Sequence, residues 1–296
     1  MTPIIDRQTT LREPFHTEPS PIFAAIRARV LVGIFIVSFV TVYAVVEFLW
    51  VETLVITIAP LPEAVTLVSV YLLLAFLLWL VCLKLGIVHQ VSLGERPSWR
   101  QAWSYISLAV PLIGTSLFFL YVVFLPLSYA YPEFVEWWLL DEPPLIWWYL
   151  DTRAISASVI NVVLLVVIVP VVEEVLFRGF LLNRWWRKYS LWRGVIFSSL
   201  AFAILHIDII GGVIFGVLLA LIYVKTKSLV GPIIVHMANN GLVVALLLAE
   251  GVVTGSIEPP TLAEFQAHWW FAPLGAAIGI PWLIWFTRRL FRAGRL

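Results

Sequence analysis

Residues 162–182 read VVLLVVIVPVVEEVLFRGFLL, and this stretch decides the fold. Its length and apolar character match the about 20 residues that a bilayer core asks of one helix. Yet it holds Glu173, Glu174 and Arg178. A charge at the centre of a span costs about 3 kcal/mol on insertion scales, so charged groups in spans face the protein interior or a watered cavity. The span therefore belongs to a membrane bundle and carries something the bundle must shelter.

The rest of the chain supports that setting. Only 12% of its residues are charged and 61% are hydrophobic, far from the balance of a soluble domain. A net charge of +1 gives no basic surface, which excludes a nucleic-acid partner. The single cysteine, Cys82, cannot form an intrachain disulfide. About eight spans follow from hydropathy, near Val30–Trp50, Ala64–Leu85, Ile106–Tyr129, Ser158–Leu182, Val195–His206, Val213–Val224, Pro232–Ala249 and Phe271–Phe286. The expected fold is all-α and polytopic. The fifth and sixth spans are short, with a turn expected at Asp208–Gly212. The second, rich in Leu, Val and Ala, reads as scaffold.

Lys and Arg concentrate in alternate loops: Arg27 and Arg29 before the first span, Arg96 and Arg100 after the second, Arg184–Arg193 after the fourth, Lys225 and Lys227 after the sixth, and Arg288–Arg295 at the end. By the positive-inside rule both termini are cytoplasmic. Residues 1–26 form a cytoplasmic tail, 27–296 a single transmembrane domain, and about 158–249 its catalytic core. Glu52 marks an opposite loop, and Trp137, Trp138, Trp147 and Trp148 suit headgroup depth in another.

Ionisable groups within spans gather in the fourth, fifth and seventh. Counted from the cytoplasmic turn at about 1.5 Å per residue, Glu173 and His206 lie about 20 Å deep on their helices. Asn240 lies about 20 Å and His236 about 13 Å along the seventh. Similar depths favour one site. Glu174 and Arg178 are four apart with the acid first, the favourable order for a helical ion pair. Glu173 is rotated about 100° from Glu174, which leaves it without a local partner and suited to act as a general base. Pro170 removes a backbone donor and tends to kink the helix just before it. His236 and Asn240 share a face and both donate hydrogen bonds, as an oxyanion hole requires; equally, they could link helices. Phe202 and His206 share a face, and the imidazole is placed to orient a water. Asn161 and Asn183 read as links between helices or as interfacial, and Asp208 as a loop acid near the outer surface.

Three motifs stand in order: E-E-x-x-x-R at Glu173–Arg178, followed by Gly179; F-x-x-x-H at Phe202–His206; and H-x-x-x-N at His236–Asn240. On membrane helices this set resembles the CPBP intramembrane glutamic endopeptidases, which include type II CAAX prenyl proteases and bacterial Abi proteins. The resemblance covers about Ser158–Ala249. It implies an eight-span core with a cavity open toward the cytoplasm. It implies Glu173 activating water with help from His206, an oxyanion hole of His236 and Asn240, and support from Glu174, Arg178 and Phe202. The substrate it implies is a peptide or lipidated protein at the bilayer. No cofactor and no metal are expected. The H-E-x-x-H signature of a zinc hydrolase is missing, although a Glu and two His leave that reading open. Buried Glu and His would also suit a proton-coupled transporter, and the same motifs would persist in a non-catalytic immunity or interaction factor of the family. Oligomeric state is not legible.

Overall fold

A computed structural model describes residues 18–50, 61–141, 146 and 152–293. Most of the N-terminal tail, Glu52, Trp147, Trp148 and Arg295 lie outside the described residues. Among the described residues ten main helices follow one another: α1 (Ala28–Trp50), α2 (Leu61–Lys84), α3 (Trp99–Ile106), α4 (Ala109–Ala130), α5 (residues 152–188), α6 (Leu191–Ala203), α7 (Ile209–Thr226), α8 (Val230–Thr254), α9 (Leu262–Ala267) and α10 (Phe271–Ala293). Shorter helical turns connect some of them, and no strand occurs among the described residues. Among the described residues six segments are long and apolar enough to cross a membrane: α1, α2, α3 with α4, α5, α7 and α8. Leu191–Ala203 and Phe271–Phe286 are apolar but shorter.

The apolar faces divide as a bilayer requires. Along α2, Leu72, Phe76 and Leu83 are exposed, while Leu74, Leu78 and Cys82 are buried. Val32, Ile36 and Val40 form a similar exposed stripe on α1. Exposed aliphatic stripes at helical spacing are surfaces for lipid. The core lies where α5 meets α7 and the start of α8, with Phe180, Leu182, Leu218, Leu219 and Leu229 fully buried. On the far side α10 runs against α4 at very close range. A Cβ at Gly279 would meet the Thr115 backbone nitrogen at 2.5 Å, and one at Gly275 the Gly114 carbonyl at 2.6 Å. Only glycine permits that approach, the usual device where helices pack in membranes.

One expectation needs correction. The turn between the fifth and sixth spans lies at 204–208, not at 208–212. Asp208 Oδ1 accepts from Gly211 N at 3.0 Å, so Asp208 caps α7 and the helix begins at once, lengthening the sixth span. Asp208 lies in the loop as expected, and it also accepts a hydrogen bond from Ser116 of α4.

The long helix α5 is regular only in parts. α-Helical Val169–Glu174 is flanked by π-helical turns, Leu164–Ile168 and Val175–Leu181. Pro170 accounts for the first. In a π turn the Leu165 carbonyl would look five residues ahead for a donor, and proline has no N–H to give. The expected disturbance before Glu173 is thus a local widening of the helix.

Candidate active site

The two adjacent glutamates have different surroundings. Glu174, fully buried, accepts on one oxygen, Oε1, from Arg178 Nη1 at 2.7 Å, and the same oxygen lies 2.9 Å from His236 Nδ1. The sequence-local pair is therefore observed, and α8 adds a histidine to it. Phe202 of α6 covers this network. Its ring centroid is 4.3 Å from the Arg178 guanidinium carbon, a cation–π distance, and 5.8 Å from the His236 ring centre. Phe215 of α7 closes on His236 edge-on at 5.1 Å.

Glu173 is 4% exposed and turns elsewhere. Its Oε1 accepts a hydrogen bond from Tyr71 of α2 at 2.7 Å, and its Oε2 is buried with no hydrogen-bond partner. Sequence reasoning missed Tyr71 and took α2 for scaffold. A hydroxyl-bearing ring in a leucine-rich helix was the available signal, since a buried tyrosine seeks a partner for its O–H.

His206 is half-buried and stacks on Phe202 with ring centres 4.2 Å apart. Its Nδ1 lies 2.9 Å from the Phe202 carbonyl. A carbonyl only accepts, so Nδ1 carries the hydrogen there and Nε2 of the neutral ring presents a lone pair. Asn240, one helical turn beyond His236, donates from its amide to the Leu165 carbonyl at 2.8 Å. It supplies the donor that Pro170 cannot, so it does link helices. An amide nitrogen has two hydrogens, and this bond leaves the second one for other use. Thus Glu174, Arg178, Phe202 and His236 meet directly, His206 joins through Phe202, and Asn240 through the widened turn. Among the described residues the side-chain hydrogen bond of Glu173 goes to Tyr71, and His236 bonds to its neighbour Glu174 instead.

The glycine after Arg178 also has a physical reason. A Cβ at Gly179 would meet the Phe23 ring at 3.0 Å, and that ring packs edge-on to Phe180 at 5.2 Å. Asn183, buried, donates to the Gly179 carbonyl at 2.7 Å and to Tyr223 of α7 at 2.8 Å, and it accepts from the Ser20 backbone N–H at 2.7 Å. It is a link between elements and not an interfacial residue. Among the described residues no three His, Cys, Asp or Glu side chains form a metal-ligand group. Beside Glu173, Val171, Val172 and Val175 join Ala75, Leu78 and Cys82 of α2 around an apolar cavity of about 290 Å³.

Six bilayer-length apolar helices around a sheltered polar network define a multi-pass integral membrane protein. Residues 155–242 match the family model described as type II CAAX prenyl endopeptidase Rce1-like, which supports a CAAX protease (CPBP) family assignment for this segment. No curated protein and no solved structure matches the chain.

Proposed function

We propose that the chain is a metal-independent intramembrane glutamic endopeptidase with Glu173 as its general base. The observation that carries this reading is the buried Oε2 of Glu173, free among the described residues of any hydrogen-bond partner and of any ion pair, whereas Glu174 is ion-paired with Arg178 and bonded to His236 through its Oε1. A carboxylate held in a protein interior with one vacant oxygen is suited to take a proton from water.

Water attacks the scissile carbonyl carbon while its proton moves to Glu173 Oε2. The lone pair on His206 Nε2 holds the water's other hydrogen. The carbonyl becomes a tetrahedral oxyanion that accepts hydrogen bonds from His236 Nε2–H and the second amide hydrogen of Asn240. Glu173 then returns its proton to the leaving nitrogen as the C–N bond breaks. The Glu174 carboxylate accepts at His236 Nδ1, so a donating Nε2 makes the ring an imidazolium. Two carboxylates, one guanidinium and one imidazolium sum to zero charge, the state that burial favours. Glu174, Arg178 and Phe202 hold that ring in place.

The substrate is a peptide bond of a membrane-associated or lipidated protein, and the apolar cavity beside Glu173 suits such a chain. The basic loops favour both termini and the mouth of the site on the cytoplasmic side of a single transmembrane domain whose catalytic core is about 158–249. The test is peptide mass spectrometry on membranes expressing wild type or Glu173→Gln. Cleavage products present only with wild type are expected. Identical products from both would end the proposal.

A further inference from the structure

Tyr71 stands outside every motif and outside the matched segment, on a helix that otherwise reads as scaffold. It nevertheless reaches 102 positions along the chain to bond Glu173 Oε1 at 2.7 Å. A phenol O–H can donate, and a carboxylate oxygen only accepts, so the direction of this bond is fixed while Glu173 is ionised. The bond makes the two carboxylate oxygens unequal: Oε1 is occupied and Oε2 is buried without a partner. The position of Tyr71 on its helix is equally specific. Ala75, Leu78 and Cys82 follow it at intervals of four, three and four, so they share its face, and all three line the apolar cavity beside Glu173. Tyr71 is therefore the polar end of an otherwise apolar wall that faces α5.

We infer that Tyr71 is a positioning residue for hydrolysis, holding Glu173 by Oε1 so that Oε2 is the oxygen presented to water. This rests on Glu173 being the base. The carboxylate sits on a short α-helical stretch between two π-helical ones. A second anchor from another helix restricts its rotation. It also leaves one defined oxygen for proton transfer, the kind of outer contact whose loss costs tenfold or more in other catalytic sites. α2 thereby becomes part of the catalytic machinery, and its packing against α5 sets the base.

The experiment uses the full-length purified protein in detergent with a fluorogenic peptide cut by wild type. Tyr71→Phe is expected to lower kcat about ten- to a hundredfold with KM unchanged, since the lost bond is to a charged group. Incorporating 3-fluorotyrosine at position 71 keeps the hydroxyl and is expected to restore kcat. Full kcat in Tyr71→Phe overturns the inference, as does a rise in KM with kcat unchanged, which would mark a substrate contact. If Tyr71→Phe does not fold, the fluorinated proteins decide. A kcat that changes between 3-fluoro- and 3,5-difluorotyrosine supports the bond to the base, and identical values overturn it. Glu173→Gln, assayed alongside, separates the two failures. If it stays active, the endopeptidase reading itself falls. If it is inactive while Tyr71→Phe is fully active, only the role of Tyr71 falls.

Discussion

Glu173 and Glu174 are neighbours in sequence, nearly equal in burial, and alike in leaving Oε2 without a hydrogen-bond partner, yet Glu174 belongs to a closed, cation-paired network and Glu173 to an open one. Glu174 meets Arg178 and His236 under the Phe202 ring. Glu173 has Tyr71 on one oxygen, nothing on the other, and an apolar cavity alongside. The difference separates two reasons for burying a charge. A paired charge fixes geometry, and removing one member leaves the other exposed to the full desolvation penalty. A charge with no cation paired to it and an unused lone pair is held ready for a reaction.

Substitutions on the two sides should therefore fail differently. Glu173→Gln keeps an acceptor for Tyr71 and is expected to fold normally, while kcat falls by about 10²–10⁴, the usual contribution of a general base. A loss of stability without loss of turnover would reverse the comparison. Arg178→Ala should do the opposite first: it leaves Glu174 buried without its guanidinium and is expected to cost about 3–5 kcal/mol, read by thermal or denaturant unfolding in detergent. Glu174→Leu combined with Arg178→Met should recover much of that stability, since apolar replacements of a buried pair are often neutral. Turnover should stay low, because His236 has then lost its partner. Asn240→Ala sits between the two sides. It removes both the donor to the Leu165 carbonyl and a proposed oxyanion contact, so kcat should fall about 10²–10³-fold with about 1 kcal/mol of stability.

The paired side was largely legible in the sequence and the open side was not. The spacing of Glu174 and Arg178 is a local helical rule, and the structure shows that pair. The depth argument brought His236 into the right region, because rise per residue is the same on every helix. It could not say which glutamate His236 would meet, since that depends on helix rotation, and the π-helical turns shift the phase of α5. Tyr71 was invisible for a related reason. Its role depends on α2 packing beside α5, and hydropathy reports that a helix spans a membrane without reporting its neighbours. The Pro170 disturbance was foreseen, but its consequence, a carbonyl claimed by Asn240, needed both helices in place. Boundaries slipped where a side chain cuts across the hydropathy pattern, as Asp208 does by capping α7.

A smaller effect tests how the closed side is braced from the N-terminal segment. Gly179→Ala would press a methyl group against Phe23 at 3.0 Å. The ring's edge can yield somewhat, so the expected cost is about 1 kcal/mol in unfolding, at the low end for overpacking. Phe23→Leu in the same protein should return most of it. If Gly179→Ala costs nothing alone, the glycine in the motif answers to something other than this contact.

The smallest expected effect comes from a charge held at the membrane edge, where water still reaches it. Lys227 follows α7, packs its ammonium 4.0 Å from the Trp186 ring centre and donates to the Glu18 carbonyl. Burial pushes its pKa down from 10.5 to about 8, and the Glu18 carboxylate opposes that shift only in part. Between about pH 8 and pH 10.5 the unfolded chain therefore keeps a proton that the folded protein has released. Stability should rise with pH across that window and show no slope from this group below it, where both states are charged. Because Lys227 is half-exposed, solvent screening keeps the slope shallow. Lys227→Met should flatten it, measured as the unfolding midpoint in detergent at steps of pH. A wild-type midpoint that is flat up to about pH 10.5 and falls above it, with the fall removed in Lys227→Met, would mean that the ring and carbonyl stabilise the ammonium more than its partial burial disfavours it. The lysine would then resemble Arg178, a charge whose partners justify its burial, and the contrast between closed and open polar sites would extend to the membrane surface.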